Sequence, residues 1–217
     1  MDGRFAEIPG GAFLMGSVQG QDDERPVHEV YVDGFMMAVF PVTRGEYARF
    51  VDATGHPRAR EWDAPEFMAS DLPVVGVSWQ DADAYCEWRT RNGDAARLPT
   101  EAEWERAARG DRAGEAYPWG DAIPSWIPNK ARGPLAGPWP VAIGEPNAFG
   151  LFGIAANVHE WCAARNPRGP VSGLRRASRG GSWRHAVTIS RCSARSKLDP
   201  SFRYTDYGFR VVRGATT

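Results

Sequence analysis

The chain has 217 residues, 42% of them hydrophobic and nine of them tryptophan, which is enough apolar material for one substantial core. A formal net charge of −1 argues against nucleic-acid binding by overall electrostatics, and three cysteines without C-x-x-C spacing argue against a disulfide scaffold or a structural zinc site. No apolar run is long enough to span a bilayer, and Met1-Asp2-Gly3-Arg4 carries no signal-peptide core, so a cytoplasmic protein without a membrane partner is expected.

In chain order, the first periodic element is Glu29 to Val32, whose alternating valines read as a strand. Thr43 with Glu46 then forms a helix-start signature, a hydroxyl capping the first turn and a carboxylate reaching back to the cap's own amide. Tyr47, Phe50 and Val51 follow on one helical face. A second strand-like run covers Val74 to Val77. It leads into Ser78 with Asp81, another capping pair, followed by Ala82, Tyr85 and Trp88. Thr100 with Glu103 opens a third helix bearing Trp104, Ala107 and Ala108. From Ile123 to Gly150 the chain is rich in Pro, Gly and Trp without periodicity, the mark of a long ordered loop that is functional or pinned by metal. A last strand is predicted over Gly208 to Val212, and strands at opposite ends of a domain commonly pair. Short helices, short strands and much loop are read as one domain over residues 1–217.

Several segments carry a resemblance. They include Ile8-Pro-Gly-Gly-Ala-Phe-Leu-Met-Gly-Ser17, Phe40-Pro-Val-Thr-Arg-Gly-Glu-Tyr47, Pro73-Val-Val-Gly-Val-Ser-Trp79 and Arg97-Leu-Pro-Thr-Glu-Ala-Glu-Trp-Glu105. Further along come Tyr117-Pro-Trp-Gly120, Asn157-Val-His-Glu-Trp161, Arg179-Gly-Gly-Ser-Trp183 and Gly208-Phe-Arg210. In this order, over nearly the whole chain, they resemble the formylglycine-generating enzyme family, also called sulfatase-modifying factors. The resemblance implies that family's α+β fold, a variant of the C-type-lectin-like architecture with short helices and much irregular loop. Function has to be argued from the site.

The family's oxidases are expected to hold copper(I) between two thiolates placed just after the Gly-Gly-Ser-aromatic run, soft sulfur suiting a soft ion. Here His185 stands where the first cysteine would be, and no cysteine occurs between Ser182 and Arg191. Copper at a thiolate pair is therefore not expected, and formylglycine generation would need another thiol such as Cys162 in the cleft. The resemblance matches Cys86 and Cys192 to the partners of a structural disulfide; the alternative is two buried thiols packed as small hydrophobes. It also matches Asn129 and Glu160 to calcium ligands, although Gly153 replaces a neighbouring asparagine. Glu160 has a second reading as a structural carboxylate.

The resemblance places His159 and His185 at one cleft, with Ser182 and Trp183 as further cleft candidates. Two imidazoles with a water or a carboxylate could hold iron, copper or zinc; the alternative is that each histidine hydrogen-bonds loop backbone. Between Glu160 and Asp199 no acidic residue occurs while arginines accumulate, Arg184 and Arg195 among them. That excess is either a field for anions or a basic face paired with the acidic N-terminal half. Tyr204 and Tyr207 are candidates for a stacking surface. The expected function is a non-oxidase family member that binds a peptide, a protein or an anionic small ligand in the former active-site cleft. The alternative is a metal-dependent oxidase or oxygenase built on His159 and His185.

Overall fold

A computed structural model of the protein describes residues 4–112, 114–128, 131–133, 136–163 and 175–214. All three capping pairs nucleate helices where expected: α1 (Arg44–Thr54), α2 (Trp79–Arg91) and α3 (Glu101–Arg109). In each, the cap hydroxyl accepts the third amide and the acidic side chain returns the bond, satisfying two amides that no helical carbonyl can reach. Tyr47 and Phe50 of α1 meet Tyr85 of α2 at ring-centroid distances of 6.1 and 5.6 Å, which binds the two helices through one aromatic cluster.

The strands are short: β1 (Phe5–Ile8), β2 (Gly11–Met15), β3 (His28–Val32), β4 (Phe35–Ala38), β5 (His159–Trp161), β6 (Arg176–Arg179), β7 (Arg195–Leu198), β8 (Tyr207–Phe209) and β9 (Val212–Gly214). They form a three-stranded sheet in the order β1-β4-β9, a β2-β3 ribbon and a four-stranded sheet in the order β7-β6-β5-β8. Three expectations change. Val74 to Val77 forms no ladder, because Gly76 bends the run with φ +71° and its amides bond to separate neighbours, Val74 N–H to the Val42 carbonyl (2.8 Å) and Gly76 N–H to that of Tyr204 (3.2 Å). The run Gly208 to Val212 is divided between β8 and β9, with Arg210 and Val211 crossing from one sheet to the other. The terminal strands β1 and β9 share a sheet but flank β4 instead of pairing with each other.

The buried side chains form two main clusters. One gathers Tyr47, Phe50, Tyr85, Cys86, Trp161, Tyr207 and Phe209 between α1, α2 and the four-stranded sheet. The other packs Trp104, Ala107 and Ala108 of α3 against Ile8, Phe35, Met37, Cys162, Cys192 and Val212. The described part of the 123–150 region contains neither α-helix nor strand. Aromatic and amide contacts hold it: Trp126 meets Trp139 edge-on at 5.3 Å, and Asn157 brackets Trp139, accepting from its N–H (3.0 Å) and donating to its carbonyl (3.1 Å). No helix of the described residues is long and apolar enough to cross a membrane.

Candidate functional site

The central side chains stand where β5 and β8 run parallel with His159 opposite Tyr207. The His159 N–H donates to the Asp206 carbonyl at 3.0 Å, which fixes the start of both strands together. Side chains alternate along a strand, so His159 and Trp161 share the face against Tyr207 while Glu160 points the other way. The His159 ring stacks on Tyr207 at 4.5 Å between centroids, and Trp161 approaches the same tyrosine at 4.9 Å.

His185 arrives from the turn after β6. Gly180 and Gly181 adopt φ of +95° and +67°, and a Cβ on Gly181 would stand 2.6 Å from Ser190 Oγ, so both conformation and space call for glycine there. The turn folds Ser182 inward and closes on the His185 N–H, which donates to the Ser182 carbonyl at 3.0 Å. The outcome is a compact polar cluster. His159 Nε2 lies 3.2 Å from His185 Nδ1, Ser182 Oγ lies 3.0 Å from that same nitrogen, and Ser182 donates to Asp206 Oδ2 at 2.6 Å. Asp206 Oδ2 is 3.8 Å from His185 Nδ1. His159, Ser182 and Asp206 are buried, whereas 42% of the His185 side chain is exposed. Burial, reinforced by neighbouring His185 and only partly offset by Asp206, pulls the His159 pKa down to about 4, so its imidazole is neutral at physiological pH.

This is not a serine-hydrolase relay. Such a relay places hydroxyl and acid on opposite imidazole nitrogens, and here Ser182 and Asp206 both face Nδ1 of His185. The arrangement instead offers two imidazole nitrogens and one carboxylate oxygen within 4.8 Å of one another.

A groove of about 410 Å³ opens beside the cluster, lined by Arg60, Glu61, Phe67, Arg184, Tyr204 and Thr205. Arg184 donates to Thr205 Oγ1 at 2.6 Å and stands 3.9 Å from Asp206, while Phe202 is half exposed at the groove's edge. A larger cavity of about 650 Å³ lies among Trp119, Trp126, Glu145 and Asn147. Among the described residues its lining shares nothing with the histidine cluster and holds no histidine or cysteine.

Of the residues singled out from sequence, His159, His185 and Ser182 come together, and Arg184 and Tyr204 line the adjoining groove. Trp183 lies beneath them, fully buried with Val75 and Val158. Tyr207 is buried behind His159 and offers a ligand no surface. Arg195 lies elsewhere, its guanidinium enclosed and 3.2 Å from Glu101, so it is a structural cation and not a ligand-binding one. Two further arginines of this stretch also have carboxylate partners: Arg179 is buried against Glu101 and Glu105, and Arg191 pairs with Glu24 at 2.6 Å.

The Glu160 carboxylate does not fit calcium. Arg210 binds it with Nη2 at 3.0 Å and Trp104 donates to its second oxygen at 2.7 Å, so both oxygens already serve buried donors. Asn129 lies outside the described residues. Nor is there a disulfide between Cys86 and Cys192: both are free, as is Cys162, and Cys86 lies in one core cluster while Cys192 lies in the other. All three thiols are buried. Asp206 was not foreseen. Its one sequence signal is that it is the acidic residue directly preceding the Tyr207-Gly-Phe209 strand, and only the parallel pairing of β5 with β8 makes it a neighbour of His159.

Residues 3–215 match the model of the sulfatase-modifying factor enzyme 1-like domain. The chain belongs to this family. It is 33% identical to a formylglycine-generating enzyme of Streptomyces coelicolor, an alignment covering 96% of this chain and 88% of that protein. It is also 33% identical to the inactive C-alpha-formylglycine-generating enzyme 2 of Mus musculus, covering 99% of this chain and 87% of that protein. Against the serine/threonine-protein kinase pkn1 of Chlamydia pneumoniae the identity is 34% over 95% of this chain, but the chain spans only 37% of that longer protein. Among solved structures, PvdO from Pseudomonas aeruginosa superposes with a TM-score of 0.83 at 27% identity, covering 97% of this chain and 94% of PvdO. The α+β formylglycine-generating-enzyme fold expected from the sequence is therefore the fold observed.

Proposed function

We propose that this member of the sulfatase-modifying factor family does not carry out thiolate-copper oxidation and instead binds an anionic ligand in the groove beside His185. One observation carries the reading: every thiol of the chain is sealed in the core, while the groove, which holds Glu61 and Glu66 with Arg60 paired to Glu61 at 3.3 Å, presents aromatic rings and the Arg184 guanidinium. Burial pushes the Cys86 and Cys192 thiols up to about 12 and Cys162 well above its ordinary value, so none is a ready thiolate. Arg184 is about one-third exposed and has only a distant carboxylate partner, which leaves guanidinium donors for an incoming anion. Phe202 and Tyr204 supply apolar and stacking surface next to it. A carboxylate joined to an aromatic or apolar group, free or at a peptide terminus, matches this lining. The presence of an inactive relative is in keeping with a family member that has left the oxidase reaction.

Calorimetric titration with N-acetylated aromatic amino acids tests the groove. Arg184→Ala should weaken binding about tenfold, as should raised salt; binding insensitive to both overturns the assignment. Incubation with copper and a cysteine-containing sulfatase-type peptide should yield no formylglycine. Copper-dependent turnover that Cys162→Ser abolishes would restore the oxidase reading.

A further inference from the structure

The histidine cluster goes beyond anion capture, and its assignment stands whether or not the groove binds a carboxylate. We propose that His159 Nε2, His185 Nδ1 and Asp206 bind one divalent first-row transition metal ion. Three features point to a cation there.

The first is spacing. Donors on neighbouring corners of a metal site with bonds of about 2.1 Å stand about 3 to 3.5 Å apart. The two imidazole nitrogens are 3.2 Å apart, and Asp206 Oδ2 is 3.8 Å from His185 Nδ1, within the reach of a small side-chain adjustment.

The second is charge. Asp206 is buried, yet its one close side-chain partner among the described residues is the neutral hydroxyl of Ser182. The cationic candidates in reach, Arg184 and His185, stand at 3.9 and 3.8 Å. A buried carboxylate so weakly paired is stabilised by a cation placed between it and the imidazoles.

The third is proton accounting. Ser182 has a single hydroxyl proton and gives it to Asp206, while the two ring nitrogens face each other with room for one proton between them. His159 Nδ1 is buried without a partner, so Nε2 is that ring's sole polar outlet and it points into the cluster. A proton shared between the nitrogens joins only the two rings in one N–H···N bond; a metal ion takes a lone pair from each ring and ties both to the Asp206 carboxylate as well.

Two imidazoles with one carboxylate form the donor set that suits iron(II), cobalt(II) or zinc, and three protein ligands leave coordination positions open. Exposed His185 and the groove side at Arg184 and Thr205 give those positions access to solvent and ligand. Ser182 acts as the hydrogen-bond donor that orients the Asp206 carboxylate, a task commonly assigned to groups just outside a metal's ligands.

The test uses the full chain, freed of metal by chelation and titrated with Co2+ alone. One equivalent per chain should bind and produce visible ligand-field absorption, and Zn2+ should displace it. His185→Ala, at a side chain exposed enough for the fold to tolerate its loss, should weaken Co2+ binding at least tenfold and abolish the absorption. His28→Ala, remote from the cluster, should change neither. Absence of Co2+ binding by the wild-type protein, or equal binding by wild type and His185→Ala, overturns the site.

Discussion

At the level of single residues, the decisive contacts are those between charges taken out of water. Glu160 and Arg210 are both fully buried, and Arg210 further donates to the carbonyls of Ala38, Val39 and Phe152. These bonds tie β4, the loop before β5 and the crossing between β8 and β9 to one guanidinium. Glu160→Gln keeps an acceptor for Trp104 but strands the buried cation, and should cost about 3 kcal/mol of stability, measured by urea unfolding. The sequence showed an excess of arginines without showing their partners. Glu24, Glu101 and Glu105, which neutralise Arg191, Arg195 and Arg179, lie from 74 to 167 positions away in the chain, a separation that composition cannot bridge. The same holds for Asp206, which proximity in space alone joins to His159 and His185.

At the level of elements, the helices were legible and the strands only partly so. A capping pair is a local device: Thr43, Ser78 and Thr100 each find their acidic partner three residues on, and the amides they satisfy belong to the same turn. Strand pairing is a long-range choice, which is why Val74 to Val77 had the right composition and found no ladder, and why Gly208 to Val212 was divided between two sheets. At Gly208 a Cβ would meet the Val74 carbonyl oxygen at 2.4 Å, so this segment serves β8 by close backbone approach.

The α2 cap also reaches beyond its own turn. Asp81 accepts from Arg203 at 2.7 and 2.8 Å and lies 2.8 Å from His56 Nε2, linking the helix start to the groove's rim. Burial alone would raise its pKa, but Arg203, the Ser78 amide and His56 outweigh burial and hold it below the ordinary value of 3.8. A lowered folded pKa means stability that is present above 3.8 and lost as pH falls through the folded value. Asp81→Asn should therefore cost about 2 kcal/mol near neutral pH. Its deficit relative to wild type should shrink below pH 3.8 when urea midpoints are measured across a pH series.

At the level of the whole molecule, two core clusters on either side of the four-stranded sheet separate Cys86 from Cys192 and Cys162. The native protein should yield no thiol to an aromatic disulfide reagent at mildly alkaline pH, and all three after denaturation. Its melting midpoint should not move on adding reductant; a fall would reveal a bridge. By itself the sequence determined the family, the α+β class, the three helices and the coming together of His159 and His185, because each is written in local patterns or in motifs kept along the chain. Only the tertiary structure decided which carboxylates neutralise the arginines, that the thiols remain apart, that Arg210 occupies Glu160 and that Asp206 completes the histidine cluster. Those outcomes depend on which distant strands lie side by side, and a parallel pairing such as that of β5 with β8 is fixed by the packing of the whole fold, not by either segment alone.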